Sequence, residues 1–199
     1  MKIGSIKIKD LLLSLEKEIK RRNIDTDNIA DIISSNKALT SRRIIGGYSS
    51  VSIVDREGQK IPIPALKDAA ANFMKNVYAR PAMVFHSDVQ IGRVLPYWTD
   101  PDSGKTMTSH VDGTGWYTLV EVRDDIEIAD KVWAEVLKGN IRSFSIAGSS
   151  KEKLRKQENG INFEQVNSLE IYETTLCEIP VCQEAKFQVL WQGNDRVSY

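Results

Sequence analysis

Apolar positions divide the chain into a helical start and a strand-rich body. Leucines and isoleucines recur at helical spacing in residues 8–22, and a second helical pattern runs to about residue 42. From about residue 48 short apolar runs alternate with turn-forming residues, which predicts strands. Two further helical patterns cover residues 65–78 and 126–140. We therefore expect a mainly β body with peripheral helices, in the α+β class.

The predicted strands are bounded by glycine, proline and charged residues. The last long strand covers residues 168–180 and follows a strand at 142–148. Between them lies the polar stretch KEKLRKQENG (151–160), which predicts a mobile excursion. Because the helix at 126–140 lies between two strands, part of the sheet is expected to be joined by a crossover. The other predicted strands cover residues 48–55, 82–87, 91–98 and 116–122.

Composition and charge narrow the classes of function. Of the 199 residues 41% are hydrophobic, which is enough for a core, and 27 basic residues balance 27 acidic ones. This balance argues against a protein that grips nucleic acid. No apolar stretch approaches the length of a membrane span, and the first residues do not resemble a signal peptide. Cys177 and Cys182 are too far apart in an extended segment for a disulfide, so the sequence predicts a soluble intracellular protein with free thiols.

Histidine is scarce, so each of the two histidines is a candidate for chemistry. His86 ends an apolar run and could be a base or a hydrogen-bonded structural residue. His110 lies in a loop-like segment and is most simply an exposed loop residue. With Asp88 the two histidines could hold a metal ion. A paired HExxH-type motif is missing, however, so the metal-hydrolase alternative is weak.

Glu173 lies on the apolar side of the last predicted strand. Its alternate positions include Leu169, Ile171 and Cys177, so we expect the carboxylate to face the core. Burial of a charged carboxylate is costly unless it is paired or hydrogen-bonded. An imidazole, Arg142 or a backbone amide could satisfy it, and the sequence leaves these alternatives open.

Ser145 lies in the stretch FSIAGSS (144–150), where small residues alternate with large apolar ones. Its strand face is shared with Ala147, and such a small, polar row suits a surface that approaches a substrate, or any half-exposed strand. With His86 and Glu173, the serine would complete a set of nucleophile, base and orienting acid. A serine hydroxyl needs a base to take its proton, and the base needs a carboxylate to hold its tautomer.

Three blocks of the sequence resemble a known family. FHSDVQIGRV (85–94), GNIRSFSIAG (139–148) and ETTLCEIPVCQEA (173–185) resemble, in order and spacing, the signature blocks of the tailed-phage prohead maturation serine proteases. VDREGQKIPIPAL (54–66) also resembles the segment that precedes them in the XkdF-like branch. The family is related to the herpesvirus assemblins, and the resemblance covers roughly residues 48–187.

The resemblance implies a site and an activity. Block by block, the catalytic histidine of the family falls on His86, its serine on Ser145 and its acid on Glu173, and no metal or cofactor is implied. The implied protein is an endopeptidase that works inside the assembling prohead, in the host cytoplasm. It would cleave scaffold and capsid proteins, and often itself. The implied fold is an assemblin-like closed β-barrel, mostly antiparallel and often dimeric.

The resulting organisation has three parts. Residues 1–47 form a helical N-terminal segment, residues 48–187 a prohead-protease-like catalytic domain, and residues 188–199 a C-terminal tail. Oxyanion-stabilising amides are expected near Gly148 or in the Lys151–Gly160 excursion. The alternative is a non-catalytic capsid-assembly or scaffold-like factor that retains the fold and works through its N-terminal helices.

Overall fold

Strands dominate the described residues, 43–76 and 79–192, of the computed structural model. The helical patterns predicted before residue 43 lie outside these residues. In chain order the elements are β1 (Arg43–Val51), β2 (Gln59–Lys60), α1 (Ile63–Lys75), β3 (Pro81–Val84), β4 (Gln90–Leu95), β5 (Tyr97–Thr99), β6 (Thr106–Thr108), β7 (His110–Val111), β8 (Gly115–Val122), α2 (Glu127–Leu137), β9 (Ser143–Glu158), β10 (Ile161–Cys177) and β11 (Phe187–Trp191).

Nine strands form one curled sheet. Its central path runs β11-β1-β8-β4-β3-β10-β2, with β7 paired to β8 and β9 paired to β10. Most neighbours are antiparallel, but β10 runs parallel to β3 and to β2. β5 and β6 form a separate two-stranded sheet. The prediction of a mainly β body with peripheral helices is therefore confirmed.

The curled sheet is open, so the expectation of a closed barrel was wrong. Closure would need a continuous ladder between β9 and β11. Instead a single bridge joins Ser143 to Lys186, next to a bond from the Phe144 N–H to the Ala185 carbonyl at 2.9 Å. Beyond this bridge the two strands follow other partners, because β9 pairs with β10 over its whole length and β11 pairs with β1.

The polar stretch at 151–160 forms the second half of β9 and the turn to β10, so the prediction that it leaves the sheet as an excursion was wrong. The strands flank a two-residue turn at Asn159 and Gly160. Both turn residues have positive φ, 52° and 81°, as a type I′ turn requires, and Asn-Gly is the sequence that tolerates it best. The charged side chains of this stretch are mostly exposed and hide the strand pattern in the sequence.

Both helices pack against the core of the sheet. α1 contributes Leu66 and Phe73 to the main buried cluster, and α2 contributes Trp133 and neighbouring apolar residues. Phe73 meets Trp116 of β8 edge to face, with ring centroids 5.5 Å apart. The helices therefore cover one face of the sheet, and the candidate active site lies on the opposite face. Neither helix in the described part of the chain is long and apolar enough to cross a membrane.

Candidate active site

A β-bulge in β10 turns Glu173 away from the core. Ile171 pairs with Gly148 and Glu173 pairs with Ala147, so Tyr172 is an extra residue in β10. Because adjacent residues of β9 face opposite sides of the sheet, Ile171 and Glu173 do too. Ile171 joins the core cluster, and Glu173 faces the other side. The expected single row of alternating residues is therefore broken at the bulge.

A tight turn after β3 presents His86. Phe85 and His86 have φ values of 51° and 52°, and the Ser87 N–H donates to the Val84 carbonyl at 3.0 Å. Two consecutive residues with positive φ inside such a bond are typical of a type I′ turn. This conformation is rare for residues other than glycine. A bond from outside the turn supports it, since the His86 N–H donates to Oγ1 of Thr175 at 3.0 Å.

The imidazole of His86 is hydrogen-bonded to the Glu173 carboxylate. The distance from Nδ1 to Oε1 is 3.0 Å. Because the carboxylate can only accept, Nδ1 donates, and Nε2 of the neutral ring is left as an acceptor. The Glu173 side chain is 14% exposed and the His86 side chain 41%, so the carboxylate is largely covered while the ring reaches solvent. Of the three partners that the sequence left open for Glu173, the structure has the imidazole.

Ser145 lies on the same face of the sheet as Glu173. It pairs with Thr175 in β10, two residues along from the Glu173–Ala147 pair, and cross-strand partners share a face. Ser145 is only 5% exposed. Its hydroxyl nevertheless has either a hydrogen-bond partner or some contact with solvent, because it is not among the fully buried, unpaired side-chain atoms of the described residues. Ser145 and His86 both line a pocket of about 350 Å³. The structure therefore brings the three predicted residues to one place.

Two loops form the outer wall of this pocket. One, between β1 and β2, contributes Asp55 and Glu57, and the other, after β10, contributes Val181 and Cys182. Arg56 joins the loops, because its N–H donates to the Val181 carbonyl at 3.1 Å. The wall therefore depends on contacts between segments that are far apart in the sequence.

The inner wall is built from consecutive residues of β9. Gly148 lines the pocket together with Ser145, and an oxyanion-stabilising amide near Gly148 stays a prediction. The other candidate region, Lys151–Gly160, does not line this pocket, because these residues extend along β9 and into the turn to β10.

The buried thiol of Cys177 is not an activated nucleophile near neutral pH. Both cysteines are free, as predicted. Burial raises the pKa of the Cys177 thiol to about 11, so it stays protonated near neutral pH. The Cys182 thiol lies 3.7 Å from the Val51 carbonyl, to which it donates.

The residues of the metal-hydrolase alternative do not converge. Within residues 43–76 and 79–192, no group of three or more potential ligands is placed to hold a metal ion. His110 lies on β7, where Nδ1 is 2.9 Å from the Thr108 carbonyl and Nε2 is 3.9 Å from the Asp112 carboxylate. The exposure predicted for His110 is confirmed, but the residue lies in a strand and not in a loop.

Two features of the site were missed in the sequence. The first is the Thr175 hydroxyl, which accepts the His86 backbone N–H. Its position on the same alternate row as Glu173 was a usable signal. The second is the extra residue at Tyr172, for which the sequence pattern carries no sign, since a bulge is defined only against the partner strand.

The sequence matches the family described as caudovirus prohead serine protease over residues 35–197. The chain therefore belongs to that family, and the resemblance noted in the sequence is confirmed. The protein is a capsid-maturation protease of the tailed-phage type. A comparison with curated proteins finds no match.

Three solved structures illustrate what the chain is similar to. The capsid assembly protease of bacteriophage T4 is 14% identical, with a TM-score of 0.48, over 67% of this chain and 80% of its own. KSHV protease bound to a hexapeptide phosphonate inhibitor is 11% identical, with a TM-score of 0.46, over 74% of this chain and 64% of its own. Varicella-zoster virus protease is 15% identical, with a TM-score of 0.40, over the same shares.

Proposed function

We propose that this protein is a serine endopeptidase that processes scaffold and capsid proteins during prohead maturation, with Ser145 as nucleophile, His86 as base and Glu173 as orienting acid. The observation that carries the proposal is the 3.0 Å bond between His86 Nδ1 and Glu173 Oε1, beside a pocket that His86 shares with Ser145. Family membership supports the reaction class.

The proposed mechanism passes through an acyl-enzyme. Ser145 Oγ attacks the scissile carbonyl carbon while its proton passes to His86 Nε2. The imidazolium then gives this proton to the leaving amine. In the second half of the reaction His86 Nε2 takes a proton from the water that attacks the acyl carbon, and this proton returns to Ser145 Oγ as the acyl group leaves. Glu173 keeps the Nδ1 proton in place and stabilises the imidazolium. These roles match the tautomer that the Glu173 bond favours.

The substrates and setting follow from the family. We propose that the enzyme acts inside the assembling prohead in the host cytoplasm, and that its own chain is a further substrate. We also propose that it works as a homodimer, which sedimentation of the purified protein would test. No metal or cofactor is required by this mechanism.

The function is tested by co-expression with the scaffold and major capsid proteins of the same phage. The wild-type protein is expected to generate new fragments of them, visible by intact mass spectrometry. Ser145→Ala is expected to abolish the fragments, because the proposed mechanism has no other nucleophile, and to keep the fold, because it removes only one oxygen atom. The matched control is Ser143→Ala, which removes a buried serine two residues away on the same strand and is expected to keep cleavage.

Two results would count against the proposal. Undiminished cleavage by Ser145→Ala would remove the nucleophile. Capsid assembly that depends on the wild-type protein but yields no fragments would instead favour the non-catalytic assembly factor.

A further inference from the structure

The position of the His86 ring depends on its backbone as well as on its bond to Glu173. Among the described residues the ring has one side-chain hydrogen bond, to Glu173, and the His86 side chain is 41% exposed. Because the ring is exposed on its solvent side, few packing contacts hold it there. The position of Nε2 relative to Ser145 then depends on the turn at Phe85 and His86.

That turn has a conformation that needs support. Phe85 and His86 both have left-handed φ values, which side chains disfavour, and such strained positions persist only when their surroundings fix them. The Phe85 N–H donates to the Leu176 carbonyl at 3.0 Å. The His86 N–H donates to Oγ1 of Thr175, also at 3.0 Å. The second bond is made by a side chain and can be removed by substitution.

Thr175 is placed to connect all three residues of the site. It is fully buried, it pairs with Ser145 across the β9–β10 ladder, and it lies two residues from Glu173 on the same strand. On its other side it pairs with Met83 of β3, the strand that leads into the His86 turn. One hydroxyl therefore joins the turn that bears the base to the strand that bears the acid.

We propose that Thr175 is a positioning residue for the reaction, whose hydroxyl holds the His86 backbone so that the imidazole lies between Glu173 and Ser145. This inference rests on the proposed function, because it assumes that His86 activates Ser145. Thr175 does not itself touch the substrate. A misplacement of a reacting group by about 1 Å can cost about 10²-fold in rate, so a modest shift of the turn has a measurable effect.

The test compares four full-length proteins: the wild type, Thr175→Val, Thr175→Ser and Thr174→Val. Valine matches threonine in shape but lacks the hydroxyl, and serine restores it. Thr174 is the matched control, because it is the adjacent buried threonine and its Oγ1 has no hydrogen-bond partner in the described part of the chain. The probe is a fluorophosphonate. Oγ of the activated serine forms a bond to phosphorus, fluoride leaves, and the serine proton passes to the base.

The rate of labelling at saturating probe is the main measurement. Thr175→Val is expected to label about 10–100-fold more slowly, with the probe concentration for half-maximal rate unchanged and with complete labelling at long times. Complete labelling separates a mispositioned base from a partly unfolded protein, which would lose amplitude. Thr175→Ser and Thr174→Val are expected to label within about threefold of the wild type. If the valine variant fails to fold, Thr175→Ala takes its place with the same expected loss.

Three outcomes would overturn the inference. They are a wild-type rate for Thr175→Val, an equal loss for Thr174→Val, and a failure of serine to restore the rate. Ser145→Ala, run in parallel, separates this inference from the function on which it rests. If Ser145→Ala is unlabelled and Thr175→Val is normal, only the positioning role fails. If Ser145→Ala is labelled like the wild type, the proposed function fails.

Discussion

At the residue scale, the Glu173 carboxylate has two roles that a substitution can separate. Its oxygen accepts the His86 Nδ1 proton at 3.0 Å, and its charge would stabilise the imidazolium. Glu173→Gln keeps the size and an acceptor but removes the charge and permits the wrong tautomer. We expect the rate of substrate cleavage to fall by about 10²–10⁴-fold with little change in KM.

The measurement is steady-state cleavage of a peptide that spans a cleavage site, which is mapped from the fragments of the capsid or scaffold protein. Glu178→Gln is the control, since Glu178 is an exposed glutamate that follows the same strand. Equal activity of Glu173→Gln and the wild type would contradict the role given to Glu173.

The residues of the site could be predicted from the sequence, but the turn that carries His86 and the hydrogen bond that holds this turn could not. His86, Ser145 and Glu173 were identified by family resemblance and by the scarcity of histidine. The positive φ of His86 could not, because no glycine or asparagine marks this turn in the sequence. The bond that supports it comes from Thr175, 89 positions away, and such a contact exists only after the sheet forms.

At the element scale, the β9–β10 ladder sets the direction of Ser145 and Glu173. Gly148 lies next to the bulge, and a Cβ there would meet the Glu170 carbonyl oxygen at 2.0 Å. Gly148→Ala must therefore push the two strands apart. We expect it to lower the free energy of unfolding by about 1–3 kcal/mol and to reduce cleavage as well.

Chemical denaturation of Gly148→Ala and of a control variant, Gly113→Ala, checks this expectation. In Gly113→Ala the added methyl meets no atom within 4 Å, so it should change stability by less than about 0.5 kcal/mol. If Gly148→Ala were as stable and as active as Gly113→Ala, the close approach of the strands would not matter for the site.

The sequence shows strands more readily than their pairing. The strands at 142–148 and 168–180 were predicted, but the charged stretch before Asn159 was not, because every residue of 151–158 is exposed and no apolar row marks the strand. The same limit applies to the bulge at Tyr172. An alternating pattern assigns Ile171 and Glu173 to one face, and only the register against β9 separates them.

At the scale of the whole molecule, β9 and β11 meet at a seam, formed by the Ser143–Lys186 bridge and the Phe144–Phe187 contact. This seam holds the start of β9, the strand that carries Ser145. The ring centroids of Phe144 and Phe187 are 4.6 Å apart across this seam. Phe187→Ala removes that contact from a half-buried site. We expect a loss of about 1–3 kcal/mol in the free energy of unfolding, measured by urea denaturation.

The matched control is Ile179→Ala, because Ile179 is 72% exposed and should have almost no effect. A Phe187→Ala variant with wild-type stability would mean that the open seam contributes nothing to the fold. The seam also shows why closure could not be predicted. The sequence identifies strands, whereas closure depends on whether two of them continue one ladder, and here the ladder ends after the Ser143–Lys186 bridge.

Covalent labelling followed by peptide mapping tests whether His86 activates Ser145. The full-length wild type, treated with a fluorophosphonate, is expected to gain one phosphonyl group, on Ser145. His86→Ala is expected to lose the labelling almost completely although Ser145 is still present. Modification of another residue would show that Ser145 is not the nucleophile, and undiminished modification of Ser145 in the His86→Ala variant would show that His86 does not activate it.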